Sequence, residues 1–278
     1  MKPSTKKEIL ELLSIPYEEF QNTVIPEAKK VYCEQRGNEL ASSAMLGFSN
    51  ICRNRCLYCG MRAESQIERY RISAEDVIAA ARTAKEMGFQ RMFVISGEDP
   101  KYGYENILQI IRGVKALGLH LSLACGEFSP EQYEAFASLG ADEYVLKFEM
   151  SDRETFNRLN PSTDFDRRMR SIEAVKKSGM KLASGNIVDY PGHTLSQLAD
   201  DILLMQELSI SWAPVIPYMP AKGTPLAAEG GRGDIYLNLR EIAILRLMMP
   251  EINITAQQPG HDLTKGLADD EGNLLALN

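Results

Sequence analysis

Three cysteines lie within the eight-residue segment "CRNRCLYC", at Cys52, Cys56 and Cys59. A structural zinc site takes four protein ligands, commonly as paired Cys-x2-Cys motifs, and no fourth cysteine follows nearby. A four-iron cluster also usually takes four thiolates, so three of them leave one iron free to bind another molecule. The spacing therefore favours an iron–sulfur cluster with an open iron, with a zinc site or bystander thiols as the alternatives.

The other potential ligands do not complete this set. For Cys125, which follows a later apolar segment, core packing and contact with a substrate are both open, and Cys33 is expected to be a core thiol. The three histidines show no ligand spacing. An odd total of five cysteines suits reduced thiols in a reducing compartment better than a disulfide framework.

Length and charge restrict the partners and the location. The 278 residues suffice for one large α/β domain or two small ones, and the formal net charge of -7 argues against general affinity for nucleic acid or anionic membranes. The amino terminus has the pattern of a charged amphipathic helix without the apolar core of a signal peptide. Because no apolar run reaches the roughly 18 residues of a membrane span, we expect a cytoplasmic protein.

Strand-like and helix-like segments alternate along the chain, which predicts parallel βαβ units with right-handed crossovers. One of the helices is expected to begin at the Ser-x-x-Asp cap of "ISAEDV". The strand-like segments lie within "ASSAMLGFSN", "RMFVIS", "LHLSLACGE", "DEYVLKFEM", "KLASGNIVD", "WAPVIPYMP" and "EINITAQQ". This count of seven predicts an α/β fold of the TIM type, a parallel (β/α) barrel that lacks its eighth strand. A doubly wound sheet is the alternative, although the cysteine segment lacks the Gly-x-Gly-x-x-Gly fingerprint.

Three regions are expected. Residues 1–40 form a helical extension, residues 41–260 form the barrel, and residues 261–278 form a polar tail. The tail is unlike a buried strand, so the first and seventh strands are expected to keep unpaired edges. We expect the tail, a second subunit or a partner chain to screen that opening.

The sequence resembles the radical SAM superfamily, whose signature is Cys-x3-Cys-x2-Cys with an aromatic residue, here Tyr58, before the last cysteine. The resemblance is closest to the biotin synthase-like branch that holds the [FeFe]-hydrogenase maturase HydE and the methylornithine synthase PylB. It is carried by "FSNICRNRCLYCGMR", "RYRISAEDV", "SGEDP", "RLNPSTDFDRRM" and "YPGHTLSQLADDILLM". It implies a [4Fe–4S] cluster that cleaves S-adenosylmethionine (SAM) to a 5'-deoxyadenosyl radical, with an electron donor such as ferredoxin or flavodoxin.

The resemblance also implies SAM contacts. Ser96, Gly97 and Glu98 lie in the loop that takes the methionine ammonium in the family, where a glycine allows close approach. Glu149 resembles a glutamate that contacts the ribose or amino group. Arg168 resembles an arginine near the SAM carboxylate, a role that suits the planar guanidinium. The alternatives are a helix-start charge for Glu98 and a surface charge for Arg168.

Some positions depart from the family pattern. Lys147, Phe148 and Met150 stand where HydE-like sequences commonly have Arg, His and Thr, which suggests a changed substrate. Three hypotheses follow. The chain is a HydE-type enzyme that acts on a small organometallic iron precursor alongside other hydrogenase maturases, or a PylB-like or other mutase on a small organic molecule, or a truncated cluster-binding remnant without turnover.

Overall fold

The computed structural model describes residues 2–37 and 39–277 and shows one main parallel sheet. Met1, Asn38 and Asn278, which fall in the predicted terminal regions, lie outside the described residues. In the described part of the chain, seven strands pair in the order β1-β2-β3-β4-β5-β7-β9. Their bounds are Ala44–Ser49, Arg91–Ser96, His120–Ala124, Glu143–Val145, Lys181–Ala183, Trp212–Ala213 and Asn253–Ile254.

The predicted seven-stranded, incomplete barrel is thereby confirmed. All neighbouring pairs in the main sheet are parallel, and the strand order follows the chain, as successive βαβ units require. Two further short strands, β6 (Ile187–Val188) and β8 (Ile216–Pro217), pair with each other beyond the ends of β5 and β7.

Helices connect the strands and begin at side-chain caps. Ser73, Ser129 and Thr194 each accept a backbone N–H in the first turn of the following helix, and the cap expected in "ISAEDV" is present. The helices are α1 Lys6–Ser14, α2 Tyr17–Arg36, α3 Ala74–Glu86, α4 Tyr104–Ala116, α5 Pro130–Ser138, α6 Arg153–Leu159, α7 Phe165–Lys177, α8 Leu195–Glu207, α9 Ile235–Met248 and α10 Asp270–Leu277. Short 3-10 turns occupy Leu226–Ala228 and Leu263–Ala268.

The amino-terminal segment forms two helices where the sequence pattern predicted one. Pro16 separates them, because proline disfavours helical backbone at the preceding residue, and Ile15 has an extended ψ of 154°. Both helices pack against α9, and α1 also packs against α8. This cover explains why α9 is buried on nearly all sides.

The two end strands of the sheet border an opening. β1 pairs with β2 along one edge and β9 pairs with β7 along one edge. A cavity of about 420 Å³, here called the lateral cavity, opens between β1 and β9 and is lined also by α2, α9 and α10. The carboxyl-terminal tail forms a 3-10 turn and α10 rather than an eighth strand, and Leu275 and Leu277 of α10 line this cavity.

The sequence contains no apolar run of the length that a membrane span requires. Within residues 2–37 and 39–277, no helix is long and apolar enough to cross a membrane.

Candidate active site

The three clustered cysteines lie on residues 50–72, here called the cysteine loop, which follow β1 at the carboxyl end of the sheet. Cys52, Cys56 and Cys59 are each half-buried and none is in a disulfide. The loop backbone consists of turns and irregular structure, with a single bridge at Arg71. Contacts from other segments must therefore fix its conformation.

The end of β2 packs directly against the cysteine loop. A Cβ atom on Gly97 would lie 2.3 Å from the carbonyl oxygen of Ile51, so glycine is required here. The carboxylate of Glu98 accepts Nε–H of Arg53 at 2.7 Å and Nδ2–H of Asn54 at 3.0 Å. The Glu98 carbonyl also accepts the Arg53 N–H at 2.9 Å. The close approach at Gly97 is thus made to the cysteine loop, and Glu98 orients that loop.

The segment after α6 holds the other flank of the loop. The hydroxyl of Tyr58 donates to Oδ1 of the fully buried Asn160 at 2.8 Å. The N–H of Leu57 donates to the carbonyl of Leu159 at 2.8 Å. Burial, with the charge of Glu149 adding to it, raises the pKa of Tyr58 well above its usual range, so the tyrosine stays a neutral donor.

One arginine fastens the loop to itself. Arg69 donates from Nη1 to the carbonyls of Asn50 and Met61 at 2.6 and 2.9 Å. It also donates from Nη2 to the carbonyls of Arg62 and Ser65 at 2.7 and 3.0 Å. Four carbonyls on both sides of the cysteines therefore converge on one guanidinium, which is suited to this by its fixed fork of donors.

The environment of the thiols disfavours free thiolates. Burial, with smaller contributions from Cys59 and Glu149, raises the pKa of the Cys56 thiol to about 12. Burial also raises the pKa of Cys59. These thiols stay protonated at neutral pH unless a bound cation stabilises their thiolates. Arg168 and Glu149 both act electrostatically on Cys56, so the structure brings these predicted site residues into one environment.

Glu149 has an unusual backbone and a buried carboxylate oxygen. Its φ is +63°, a left-handed value, and Met150 N–H donates to the Phe148 carbonyl at 2.8 Å to close the turn around it. Its Oε2 is buried, has no hydrogen-bond partner among the described residues, and lies 3.2 Å from Nζ of Lys147. A buried carboxylate oxygen of this kind can accept a hydrogen bond from a ligand.

Arg168 is buried, in contrast to the surface-charge alternative. It is 8% exposed, and its Nε donates to Oε1 of Glu127 at 2.7 Å. Its Nη1 donates to the carbonyl of Lys147, and its guanidinium lies 5.4 Å from the centre of the Phe156 ring. Burial opposes its charge, but the partner Glu127 outweighs this and the pKa of Arg168 is raised. Arg167 holds the second oxygen of Glu127 at 3.0 Å.

The remaining sequence-predicted residues have local roles. The hydroxyl of Ser96 donates to the carbonyl of Gly97 at 2.7 Å. Cys125 is buried, with its sulfur 3.5 Å from the Tyr144 hydroxyl in an aromatic cluster, which indicates core packing. The core position expected for Cys33 is wrong, because this thiol is exposed on α2.

Only one of the three departures from the family pattern brings a charge to the site. Phe148 and Met150 are buried in two separate hydrophobic clusters and are 0% and 1% exposed. Lys147 instead pairs with Glu149. A changed substrate contact would therefore involve Lys147.

The donors of the cysteine loop suit a metal group bound through sulfur. The nearby carboxylates of Glu98 and Asp99 pair with Arg53 and Arg71, which leaves the thiols as ligands. Soft thiolates select zinc or iron–sulfur clusters. In the described part of the chain, no three His, Cys, Asp or Glu side chains are arranged around a single metal ion. In a cluster each thiolate binds a different iron, so the three sulfurs need not meet at one point.

Sequence reasoning missed two residues that shape the site, Arg69 and Glu127. A signal for Glu127 was present, because Gly126-Glu127 follows β3 as Gly97-Glu98 follows β2. The two pairs also touch, since a Cβ on Gly126 would lie 2.3 Å from Cγ of Glu98. Arg69 gave no such signal, because its partners are carbonyl groups that any residue can supply.

Thiols, a carboxylate and a guanidinium that share one end of a parallel half-barrel define an enzyme that binds a metal group and a small ligand side by side. Residues 46–205 match the model of the Radical SAM superfamily, and the chain belongs to this superfamily. Its members are enzymes that use a [4Fe–4S] cluster and SAM, the two cofactors predicted from the cysteine motif.

Individual relatives support the biotin synthase-like branch. The chain is 34% identical over 253 residues to the [FeFe] hydrogenase maturase subunit HydE of Thermotoga maritima, covering 91% of this chain and 72% of the relative. It is 30% identical over 260 residues to biotin synthase of Acinetobacter baylyi, covering 88% and 75%. The crystal structure of methylornithine synthase (PylB) superimposes with a TM-score of 0.86 at 26% identity, covering 98% of this chain and 79% of that one.

Proposed function

We propose that this chain is a HydE-like radical SAM enzyme in which Cys52, Cys56 and Cys59 hold a [4Fe–4S] cluster and leave one iron to SAM. The observation that carries the proposal is a single loop with three half-buried thiols in one electrostatic environment with Glu149 and Arg168. When bound and reduced, the cluster supplies the electron that cleaves SAM to a 5'-deoxyadenosyl radical. A reductant such as ferredoxin or flavodoxin supplies that electron.

The residues around the loop provide SAM recognition in this proposal. The Oε2 of Glu149, which is ion-paired with Lys147, accepts a hydrogen bond from a ribose hydroxyl or the amino group of SAM. Arg168 donates to the protein through Nε and Nη1, and its Nη2 group serves the SAM carboxylate. The backbone of Ser96, Gly97 and Glu98 lies beside the cysteine loop and serves the methionine ammonium.

The substrate proposed is a small organometallic iron precursor of the hydrogenase cofactor, handled together with other hydrogenase maturases. The support is the 34% identity to HydE over 91% of this chain. A mutase acting on a small amino acid is the second candidate. It is favoured by the fit of 98% of the chain to the methylornithine synthase structure and by Lys147, whose ammonium lies 3.2 Å from Glu149 at the site.

An anaerobic assay tests the cleavage reaction. The protein is reconstituted with iron and sulfide, reduced with dithionite and incubated with SAM, and 5'-deoxyadenosine is measured by chromatography. We expect product from the wild type and from Cys33→Ala, whose thiol is exposed on α2, and none from Cys56→Ala. A Cys56→Ala variant that binds a cluster and cleaves SAM like the wild type would contradict the assignment.

A complementation experiment separates the two substrate candidates. The gene is expressed in a host that makes [FeFe]-hydrogenase but lacks its own HydE. Restored hydrogenase activity supports the maturase. Continued inactivity, combined with active SAM cleavage in vitro, favours the small amino acid substrate.

A further inference from the structure

Two residues with left-handed backbone lie on the segments that follow β4 and β6. Glu149 follows β4 with a φ of +63°, and Asp189 follows β6 with a φ of +55°. For residues other than glycine this conformation is unfavourable and persists only where the surroundings enforce it. Around Glu149, hydrogen bonds from two neighbouring segments converge on one side chain of α8.

That side chain is Asp201, which is 1% exposed. Its Oδ1 accepts the N–H of Ser151, two residues beyond Glu149, at 2.7 Å. Its Oδ2 accepts Nδ2–H of Asn186 at 2.9 Å. Asn186 in turn forms a parallel bridge with Glu149, and the neighbouring Ile187 N–H donates to the Glu149 carbonyl at 2.9 Å. Asp201 therefore holds the Glu149 turn through both the segment that follows it and the strand beside it.

The side chain of His193 lies between Asp201 and the backbone of Asp189. Its Nδ1 accepts the N–H of Asp189 at 2.9 Å, which places the proton of a neutral ring on Nε2. This Nε2 lies 3.5 Å from Oδ2 of Asp201, and both side chains are 1% exposed. The ring of His193 also stacks on Tyr190, with centroids 4.4 Å apart. The His193 ring thus lies between the Asp189 turn and Asp201, but among the described residues its Nε2 makes no hydrogen bond.

We propose that Asp201 is a positioning residue for SAM binding, acting on Glu149 through Asn186 and Ser151. The inference rests on the proposed role of Glu149 as a SAM contact. Asp201 does not touch SAM or the cluster in this account. It keeps the Glu149 turn in the left-handed conformation that places Oε2 beside the Lys147 ammonium, where it can also accept a hydrogen bond from the ligand.

The chemistry of the contacts suggests a decisive variant. In Asp201→Asn the side chain has one acceptor oxygen for two donors, Ser151 N–H and the Asn186 amide, so one of these contacts is lost. In the reversed pair, Asp201→Asn with Asn186→Asp, the new amide can donate to the new carboxylate while its oxygen still accepts from Ser151. The adjacent Asp200, whose carboxylate pairs with Lys6 at 2.6 Å and is 45% exposed, provides the matched control.

The experiment measures cluster content, SAM affinity from the spectroscopic signal of the reduced cluster, and the thermal unfolding midpoint. We expect Asp201→Asn to weaken SAM binding by tenfold or more at unchanged cluster content. Asp200→Asn is expected to bind SAM like the wild type, and the reversed pair is expected to recover most of the lost affinity. Asn186→Ala, which leaves the Ser151 contact in place, serves as a second variant should Asp201→Asn fail to fold, and is expected to weaken SAM binding several-fold.

Three results overturn the inference. Equal SAM affinity of Asp201→Asn, Asp200→Asn and the wild type removes Asp201 from SAM positioning, as does an Asn186→Ala variant that binds SAM normally. An affinity loss that the reversed pair does not restore points to a merely structural role. A wild type that holds no cluster or does not cleave SAM overturns the proposed function as well, and so is distinguishable from failure of this inference alone.

Discussion

The cysteine loop and the lateral cavity are both openings in the same half-barrel, but they are built differently. The cysteine loop lacks regular structure and is cross-linked by charged side chains, with four carbonyls on Arg69 and two contacts on the carboxylate of Glu98. The lateral cavity between β1 and β9 is lined by both polar and apolar side chains, of which Met45 is 57% exposed and Leu277 is 46% exposed. None of the three cysteines lines that cavity.

The two regions differ in how their backbone is held in place. Loops at the carboxyl ends of strands have no backbone ladder, so buried arginines and carboxylates must fix them if they are to hold a cofactor in one geometry. The lateral cavity lies instead between regular elements, because residues of α2, α9, α10 and the sheet strands form its walls. The two regions should therefore respond differently to substitution.

Loss of Arg69 is expected to have the largest effect. In Arg69→Gln most of the four carbonyl contacts disappear, and each hydrogen bond to a charged group contributes about 1.5 to 3 kcal/mol. We expect the reconstituted variant to lose its cluster to a chelator at least about tenfold faster than the wild type, since about 1.4 kcal/mol corresponds to that factor. Arg82→Gln on the exposed face of α3 is the control, and equal rates for both variants would contradict the fastening role of Arg69.

Glu149→Gln is expected to affect SAM rather than the cluster. Replacing the carboxylate weakens a charge-assisted hydrogen bond, and SAM affinity should fall by about one to two decades while iron and sulfide content stay unchanged. The exposed Glu154→Gln on α6 should bind SAM like the wild type. Unchanged affinity in Glu149→Gln, measured by titration of the cluster signal, removes this residue from the SAM site.

The burial of Glu241 on α9 leads us to expect a pH-dependent free energy of unfolding, an effect of intermediate size. It is fully buried and, with burial as the main cause and Asp201 adding, its pKa is raised well above the usual 4.5. Above about pH 4.5 the unfolded chain releases this proton but the folded protein keeps it, so stability falls by about 1.4 kcal/mol per pH unit up to the folded pKa.

Glu241→Gln is neutral at every pH and should remove this loss. Urea unfolding of the metal-free proteins at about pH 5 and about pH 7 is expected to show the variant gaining on the wild type as pH rises. Glu207→Gln, an exposed position on α8, should follow the wild type. Parallel pH dependence of Glu241→Gln and wild type would show that Glu241 is ionised in the fold.

Substitution at the lateral cavity is expected to have the smallest effect. Met45 is largely exposed, so Met45→Thr should change the free energy of unfolding by no more than about 0.5 kcal/mol. SAM cleavage should stay at the wild-type level. A marked loss of cleavage in this variant would show that the lateral cavity is coupled to the cysteine loop.

Much of the fold could be predicted because apolar segments and caps are local signals. "RMFVIS" predicts β2 residue for residue, and Ser73 caps α3 as expected. The later strands were harder, since β5 and β7 stop after two or three residues and resume as β6 and β8. Their interruptions depend on contacts across the sheet, which a single sequence does not contain.

The site was predictable only where a motif identifies it. The spacing of Cys52, Cys56 and Cys59 favoured the cluster and the family resemblance added SAM, whereas Asp201, which bonds the segment after the left-handed turn at Glu149, lies more than fifty residues away from that turn along the chain. The contacts of Glu98 likewise depend on residues that are distant in the sequence. Its position was predicted as a ligand contact, but its carboxylate is occupied by Arg53 and Asn54 of the cysteine loop.

The central claim is that three thiols hold the cluster and leave one iron to SAM. Pulsed electron paramagnetic resonance on the reduced, reconstituted protein, with SAM carrying nitrogen-15 in its amino group, tests it most directly. We predict one [4Fe–4S] cluster per chain and a hyperfine coupling between its electron spin and the labelled nitrogen. This coupling is expected to be lost in Cys56→Ala. A protein that instead holds one tightly bound zinc and no cluster, or a cluster whose spin shows no coupling to the labelled SAM, would contradict the account.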